Sequence, residues 1–136
     1  MIRVRTIDHI VLRTDNVEEM VRFYSDILCC PIERTLPPDT GLTQLRAGHA
    51  LIDIVSVDSE LGRAGGGPPG ATENNLDHFC LQLEDIGQED LREWLESNGV
   101  ETGSFETRYG AQGFGPSIYI SDPDGNTIEL RSRTDS

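Results

Sequence analysis

The 136-residue chain contains no lysine: all 11 of its basic residues are arginine, set against 24 acids for a formal charge of −13. That absence excludes a Schiff-base lysine, a phosphate-binding P-loop lysine and a Ser–Lys nucleophile pair. The shortage of positive charge argues against sequence-independent binding to nucleic acid or to an anionic membrane, both of which need a basic surface. Long apolar runs are lacking too, so no segment reads as a bilayer span. The opening Met1-Ile2-Arg3-Val4-Arg5 has no apolar stretch of the signal-peptide kind. Cysteine is scarce and odd in number. Three residues, two of them the adjacent Cys29 and Cys30, offer neither a disulfide framework nor the spaced pairs of a zinc ribbon. The expectation is three small buried thiols in a protein of the reducing cytoplasm.

The length predicts one domain, or two small halves folded as one. A chain of this size buries roughly two-thirds of its unfolded surface and needs no covalent staple. Thr6–Arg13 alternates apolar and polar residues as a strand does. Asp15-Asn16-Val17-Glu18 then reads as a helix start, with Val17, Met20, Val21, Tyr24, Ile27 and Leu28 forming a buried stripe that Pro31 brings to an end. Ile32–Leu36, Leu42–Arg46 and Ala50–Val57 read as strands, with His49 a turn residue beside Gly48. Residues 58–75 break the rhythm. Their Gly65-Gly66-Gly67-Pro68-Pro69-Gly70 matches G-x-G-x-x-G, yet opens no helix and spends two positions on prolines that lack an N–H for phosphate. The stretch reads as a linker, not a nucleotide loop.

The pattern then restarts. Leu76-Asp77-His78-Phe79-Cys80-Leu81 repeats Ile7-Asp8-His9-Ile10-Val11-Leu12, an Asp-His pair among apolar neighbours. Leu91, Trp94 and Leu95 mark a second helix that ends at Asn98-Gly99. Val100–Glu106, Ser117–Ser121 and Thr127–Arg131 are strand candidates, the last two joined by the turn-like Asp122-Pro123-Asp124-Gly125. Two copies of β-α-β-β-β follow, over residues 6–57 and 76–131.

Alternation along a strand assigns faces. Ile7, His9, Val11 and Arg13 share one side of the first strand, and Asp8, Ile10 and Leu12 the other. His78, Cys80 and Gln82 oppose Phe79 and Leu81, and Thr127, Glu129 and Arg131 oppose Ile128 and Leu130. Asp53 opposes Ile52 and Ile54. Polar residues on one face of a sheet ordinarily just meet water. Solvent exposure does not explain a histidine and a carboxylate at matching places in both copies, although duplication alone would copy the Asp-His pair. Two imidazoles and two carboxylates suit a divalent ion such as nickel, zinc, manganese, cobalt or ferrous iron. Four protein ligands would leave a six-coordinate ion two positions for water or substrate.

From Ile7 to Arg131 the chain resembles the vicinal oxygen chelate superfamily, the glyoxalase, bleomycin-resistance and extradiol-dioxygenase group. The resemblance rests on Asp8-His9-Ile10, Phe23-Tyr24-Ser25-Asp26-Ile27-Leu28, Leu76-Asp77-His78 and, above all, Ile120-Ser121-Asp122-Pro123-Asp124-Gly125-Asn126-Thr127-Ile128-Glu129-Leu130. It implies an α+β fold of two tandem βαβββ modules in a half-open, barrel-like mixed sheet with helices outside, and metal ligands His9, Asp53, His78 and Glu129. Asp53 stands where glyoxalase I carries a glutamate, and Val57 where it carries an asparagine. Cys29 stands where a glycine is usual. Arg13 matches an arginine that glyoxalase I uses near the glutathione carboxylate.

The activity so implied is that of a glyoxalase I-like lyase or isomerase. Its metal chelates vicinal oxygens of a small carbonyl substrate, and a proton moves by way of an enediolate. Glu129 is the expected ligand that also moves the proton, with Asp53 the second candidate. Tyr119, Arg108 and the Tyr109–Gly115 loop are placed at the substrate pocket, burial in the sheet being the competing role for Tyr119. A ferrous dioxygenase using His9, His78 and Glu129 is one alternative, and a metal-free drug-binding protein the other. A homodimer is expected.

Overall fold

A computed structural model describes residues 1–70, 72–73 and 76–132. The expected linker therefore includes three residues, Ala71, Asn74 and Asn75, that lie outside the described residues. The chain divides into two compact units, Met1–Asn75 and Leu76–Ser136. Unit one runs β1 (His9–Thr14), α1 (Val17–Arg22), β2 (Ile32–Thr35), β3 (Leu42–Ala47) and β4 (Ala50–Ser56). Unit two runs β5 (His78–Gln82), α2 (Gln88–Ser97), β6 (Glu106–Gly110), β7 (Gly113–Ser121) and β8 (Thr127–Arg131). The two sheets have the same open order, β1-β4-β3-β2 and β5-β8-β7-β6. In each, the first and last strands pair in parallel and the rest antiparallel. This is the βαβββ module twice, an α+β fold, and neither sheet closes into a barrel.

In unit one, alternation buries Leu12, Leu45, Ile52 and Ile54 together with Met20 and Tyr24 of the first helix. Phe23 is buried as well, outside the expected stripe, because the helix loosens into a π turn at Phe23–Ile27 and its periodicity slips there. The helix ends with Cys29 at φ +59°, while the Cys30 N–H reaches back to the Tyr24 carbonyl at 2.9 Å. This left-handed closure is one residue wider than a Schellman motif, because the last turn is π, and puts a cysteine at the position normally given to glycine. In unit two, Leu91, Leu95, Ile118, Ile120, Ile128 and Leu130 are buried. The Asp122–Gly125 turn is fixed by Asp122, whose Oδ1 accepts the N–H groups of Asp124 and Asn126 at 2.9 Å each.

Several expectations need correction. β1 begins at His9 and β5 at His78, so Asp8 and Asp77 precede their strands. The strand expected at Val100–Glu106 lies instead at Glu106–Gly110. Arg92 of α2 donates to Thr102 Oγ1 at 3.2 Å and to the Gly103 carbonyl at 3.0 Å, giving that carbonyl a partner outside any ladder. The Tyr109–Gly115 stretch is not a loop but the β6–β7 hairpin. Trp94 remains 43% exposed although Leu91 and Leu95 beside it are buried. Of the three free thiols only Cys30 is buried; Cys29 and Cys80 are exposed. Among the described residues no helix is long and apolar enough to cross a membrane.

Candidate metal centre

Unit one places Asp53 between Val11 of β1 and Gln44 of β3. His9, two residues before Val11, shares that face. The Asp53 carboxylate is buried, at 4% exposure. Gln44 Nε2 donates to both of its oxygens at 3.2 Å. His9 Nδ1 lies 2.7 Å from Asp8 Oδ1. The Asp8 hydrogen bond, and then the charge of Asp53, hold the imidazole above its ordinary value of 6.5, with desolvation opposing.

Arg13 stands on the same strand face, four residues beyond His9. Its guanidinium donates to the carbonyls of Gly62 at 3.2 and 3.1 Å, Gly67 at 3.2 Å and Gly66. The glycine-rich segment therefore turns carbonyls inward onto a cation, the opposite polarity to a phosphate cradle, which would need N–H groups. A Cβ at Gly65 would lie 2.2 Å from Arg13 Nε, so glycine there lets the loop close on the guanidinium.

Unit two places Glu129 between Cys80 of β5 and Tyr119 of β7. The residue is 7% exposed. His78 Nε2 is 3.4 Å from Glu129 Oε1, and Arg131 Nη1 is 3.8 Å from Oε2. His78 Nδ1 lies 2.6 Å from Asp77 Oδ2. The His78 ring meets Tyr119 edge-on at 5.5 Å, and Arg108 sits 4.3 Å over the Tyr119 ring. Arg108 is held by Ser117, at 2.8 Å to its carbonyl and 2.9 Å to its hydroxyl, and by Glu106 at 2.8 Å. Arg108, Tyr119, His78 and Glu129 thus form one contiguous polar surface.

A cavity of about 320 Å³ opens beside it, lined by His78, Cys80, Gln82, Glu129 and Arg131 and by the hairpin from Tyr109 to Gln112. Arg131 ties the hairpin down by donating to the carbonyls of Arg108 at 3.1 Å and Gly113 at 2.8 Å. Glycines at 110 and 115 make the slot: a Cβ at Gly110 would lie 2.9 Å from Arg131 Nη1, and one at Gly115 3.1 Å from Nη2. The Cys80 thiol is pushed up to about 11, first by burial and then by the charge of Glu129, with Arg131 opposing.

Each unit thus brings one histidine and one buried carboxylate onto one sheet face. Among the described residues no three His, Cys, Asp or Glu gather into a set able to hold an ion. What is built is two pairs. In chemistry they fit a divalent cation: imidazole nitrogen and carboxylate oxygen are the donors that nickel, zinc, manganese, cobalt and ferrous iron accept. The carboxylates are buried against an amide (Asp53) or a guanidinium 3.8 Å away (Glu129), and buried charge without close compensation favours a cation. Gln44, Arg131, Asp8 and Asp77 were not expected at the site. The repeated Asp-His dipeptide carried a signal for the last two and alternation put Arg131 on the Glu129 face, whereas Gln44 depends on the cross-strand register.

The chain matches the family model described as Glyoxalase/Bleomycin resistance protein/Dioxygenase superfamily over residues 6–130. Among solved structures it is similar to an integron cassette protein from the mobile metagenome of V. pseudocholerae, at 27% identity over 98% of each chain with a TM-score of 0.78. Lactoylglutathione lyase from Agrobacterium tumefaciens, at 18% identity over 94% of this chain and 93% of that one with a TM-score of 0.67, shares the fold. So does TnmS3, an antibiotic binding protein from Streptomyces sp. CB03234, at 17% identity over 98% of this chain and 100% of that one with a TM-score of 0.71. No curated protein sequence matches. With the family model spanning nearly all of both units, the chain belongs to the glyoxalase/bleomycin resistance protein/dioxygenase superfamily.

Proposed function

We propose that this chain is a metal-dependent lyase or isomerase acting on a small carbonyl compound with two neighbouring oxygens. The observation that carries this reading is the pairing of a buried carboxylate with a histidine on one sheet face of each unit, Asp53 with His9 and Glu129 with His78. His9, Asp53, His78 and Glu129 would hold the ion, in one chain or across a homodimer. When bound, the ion stabilises negative charge developing on the substrate oxygens. Glu129 takes the proton from the carbon beside the carbonyl and returns it to the neighbouring carbon, so the step is a proton shift with no change in oxidation state overall. Arg131 Nη1 stands 3.8 Å from Glu129 Oε2, a fixed cation beside the proposed proton acceptor. The cavity between Glu129 and the β6–β7 hairpin is large enough for a small substrate.

The test is solvent deuterium exchange into α-hydroxyketones, α-hydroxyaldehydes and hemithioacetals, with nickel, zinc, manganese, cobalt or ferrous iron added in turn. The reading expects exchange at the carbon next to the carbonyl, dependent on the ion and lost in Glu129→Gln. No exchange with any ion contradicts it.

A second reading, a ferrous dioxygenase, draws support from Gln44. Its amide engages both oxygens of Asp53, which leaves two histidines and one carboxylate as the freer set. Oxygen uptake with catechols and ferrous iron, in place of deuterium exchange, would favour it. Binding of a cationic drug by a protein that takes up no ion would favour the drug-binding reading, which the −13 charge suits.

A further inference from the structure

Both histidines of the candidate centre make the same contact. His9 Nδ1 is 2.7 Å from Asp8 Oδ1, and His78 Nδ1 is 2.6 Å from Asp77 Oδ2, distances of charge-assisted hydrogen bonds. Neighbouring residues in a strand point to opposite faces, so such a contact is closed to an Asp-His pair inside one. Here each strand starts at the histidine, and the preceding aspartate is free to swing to the imidazole side. The side chains of Asp8 and Asp77 are 89% and 94% exposed, so packing does not account for their placement. The arrangement occurs once in each unit, on chemically different surroundings: Asp53 and Gln44 in one, Glu129 and Tyr119 in the other. The third histidine, His49, follows Gly48 in the β3–β4 turn and has no aspartate before it.

We infer that Asp8 and Asp77 are positioning residues that lock His9 and His78 in the Nδ1–H tautomer, so that each presents the Nε2 lone pair to a divalent ion. The inference rests on reading the two histidines as metal ligands. An imidazole has two nitrogens, and whichever one carries the proton cannot bind metal. An aspartate accepting from Nδ1–H removes the choice, fixes the ring plane and raises the basicity of Nε2. His78 Nε2 faces Glu129 Oε1 at 3.4 Å, so the nitrogen offered to an ion is turned toward the buried carboxylate of its pair. Being exposed, the two aspartates act without the desolvation cost of a buried partner.

The test uses the full-length, metal-free protein labelled with 15N at histidine, read by long-range proton–nitrogen correlation at about pH 9, where imidazoles are neutral. Three histidines give three assignable ring systems, with His49 as internal control. His9 and His78 are expected as Nδ1–H tautomers. Asp8→Ala and Asp77→Ala should each turn the adjacent ring, and only that ring, toward Nε2–H, with Asn variants intermediate because their carbonyl still accepts. Calorimetric titration with zinc alone should then show affinity about tenfold to hundredfold weaker in each Ala variant. Unchanged tautomers, or shifted tautomers with unchanged zinc affinity, overturn the inference while wild-type zinc binding leaves the proposed function standing. A wild type that binds no ion overturns both. Normal thermal melts of the variants separate loss of positioning from loss of fold.

Discussion

Asp53 and Gln44 face each other across the β3–β4 ladder, with one amide nitrogen of Gln44 3.2 Å from each carboxylate oxygen. The contact holds both oxygens of a buried acid by a neutral donor, so the negative charge is positioned but not neutralised. In Gln44→Leu the carboxylate loses this partner, and the metal-free protein should lose about 1–3 kcal/mol in denaturant unfolding. If Asp53 is a ligand, part of the loss should return on adding a divalent ion. Unchanged stability would show that the amide contributes nothing to holding Asp53.

Acidity should act through His9. Because its folded value lies above 6.5, its contribution to the stability of the metal-free protein is complete below pH 6.5 and is lost as pH rises through the raised value. NMR titration should place the His9 midpoint above 6.5, and Asp8→Asn should bring it down. Ion uptake competes with that proton, so affinity should fall as pH drops through the same midpoint. A His9 midpoint at or below 6.5 contradicts this.

The thiols should differ in reactivity. Cys30, and Cys80 although that residue is itself exposed, are both pushed up to about 11, chiefly by desolvation, so very little thiolate exists on either at pH 8. Mass spectrometry after brief iodoacetamide treatment at pH 8 should find the exposed Cys29 labelled first. Equal labelling of Cys80, which also sits in the cavity, would contradict the protonated state assigned to it.

Gly62 is tied to its site by backbone contact. A Cβ there would lie 1.8 Å from the Ser56 carbonyl oxygen, whereas one at Gly67 meets nothing within 4 Å. Gly62→Ala should therefore lower stability by ~1–3 kcal/mol. Gly67→Ala should be near neutral or slightly stabilising, since it only restricts the unfolded chain. Equal melts would mean the loop relaxes freely around the Ser56 carbonyl.

Period-2 and helical patterning made most of the fold legible, because burial enforces both: Thr127–Arg131 coincides with β8, and the two βαβββ orders are as the repeat implies. Patterning failed where side chains, not periodicity, satisfied the backbone. Arg92 holds Thr102 and Gly103 out of a strand, and the π turn at Phe23 shifts the helix face. The candidate ligands were legible because each lies on a regular strand. Gln44 was not, since its nearness to Asp53 depends on cross-strand register, which a single sequence does not encode locally, whereas Arg131 was legible on the Glu129 face but its hold on the hairpin was not. Asp8 was assigned to the wrong face because alternation was extended one residue before the strand begins.

The central claim is that both units supply ligands to a divalent ion. Elemental analysis of untagged protein purified without chelator tests it most directly. The account predicts about one divalent ion per chain in wild type and its loss in His78→Ala, with the variant still folded. Wild-type protein that carries no ion, and takes up none from nickel, zinc, manganese, cobalt or ferrous iron, would contradict it.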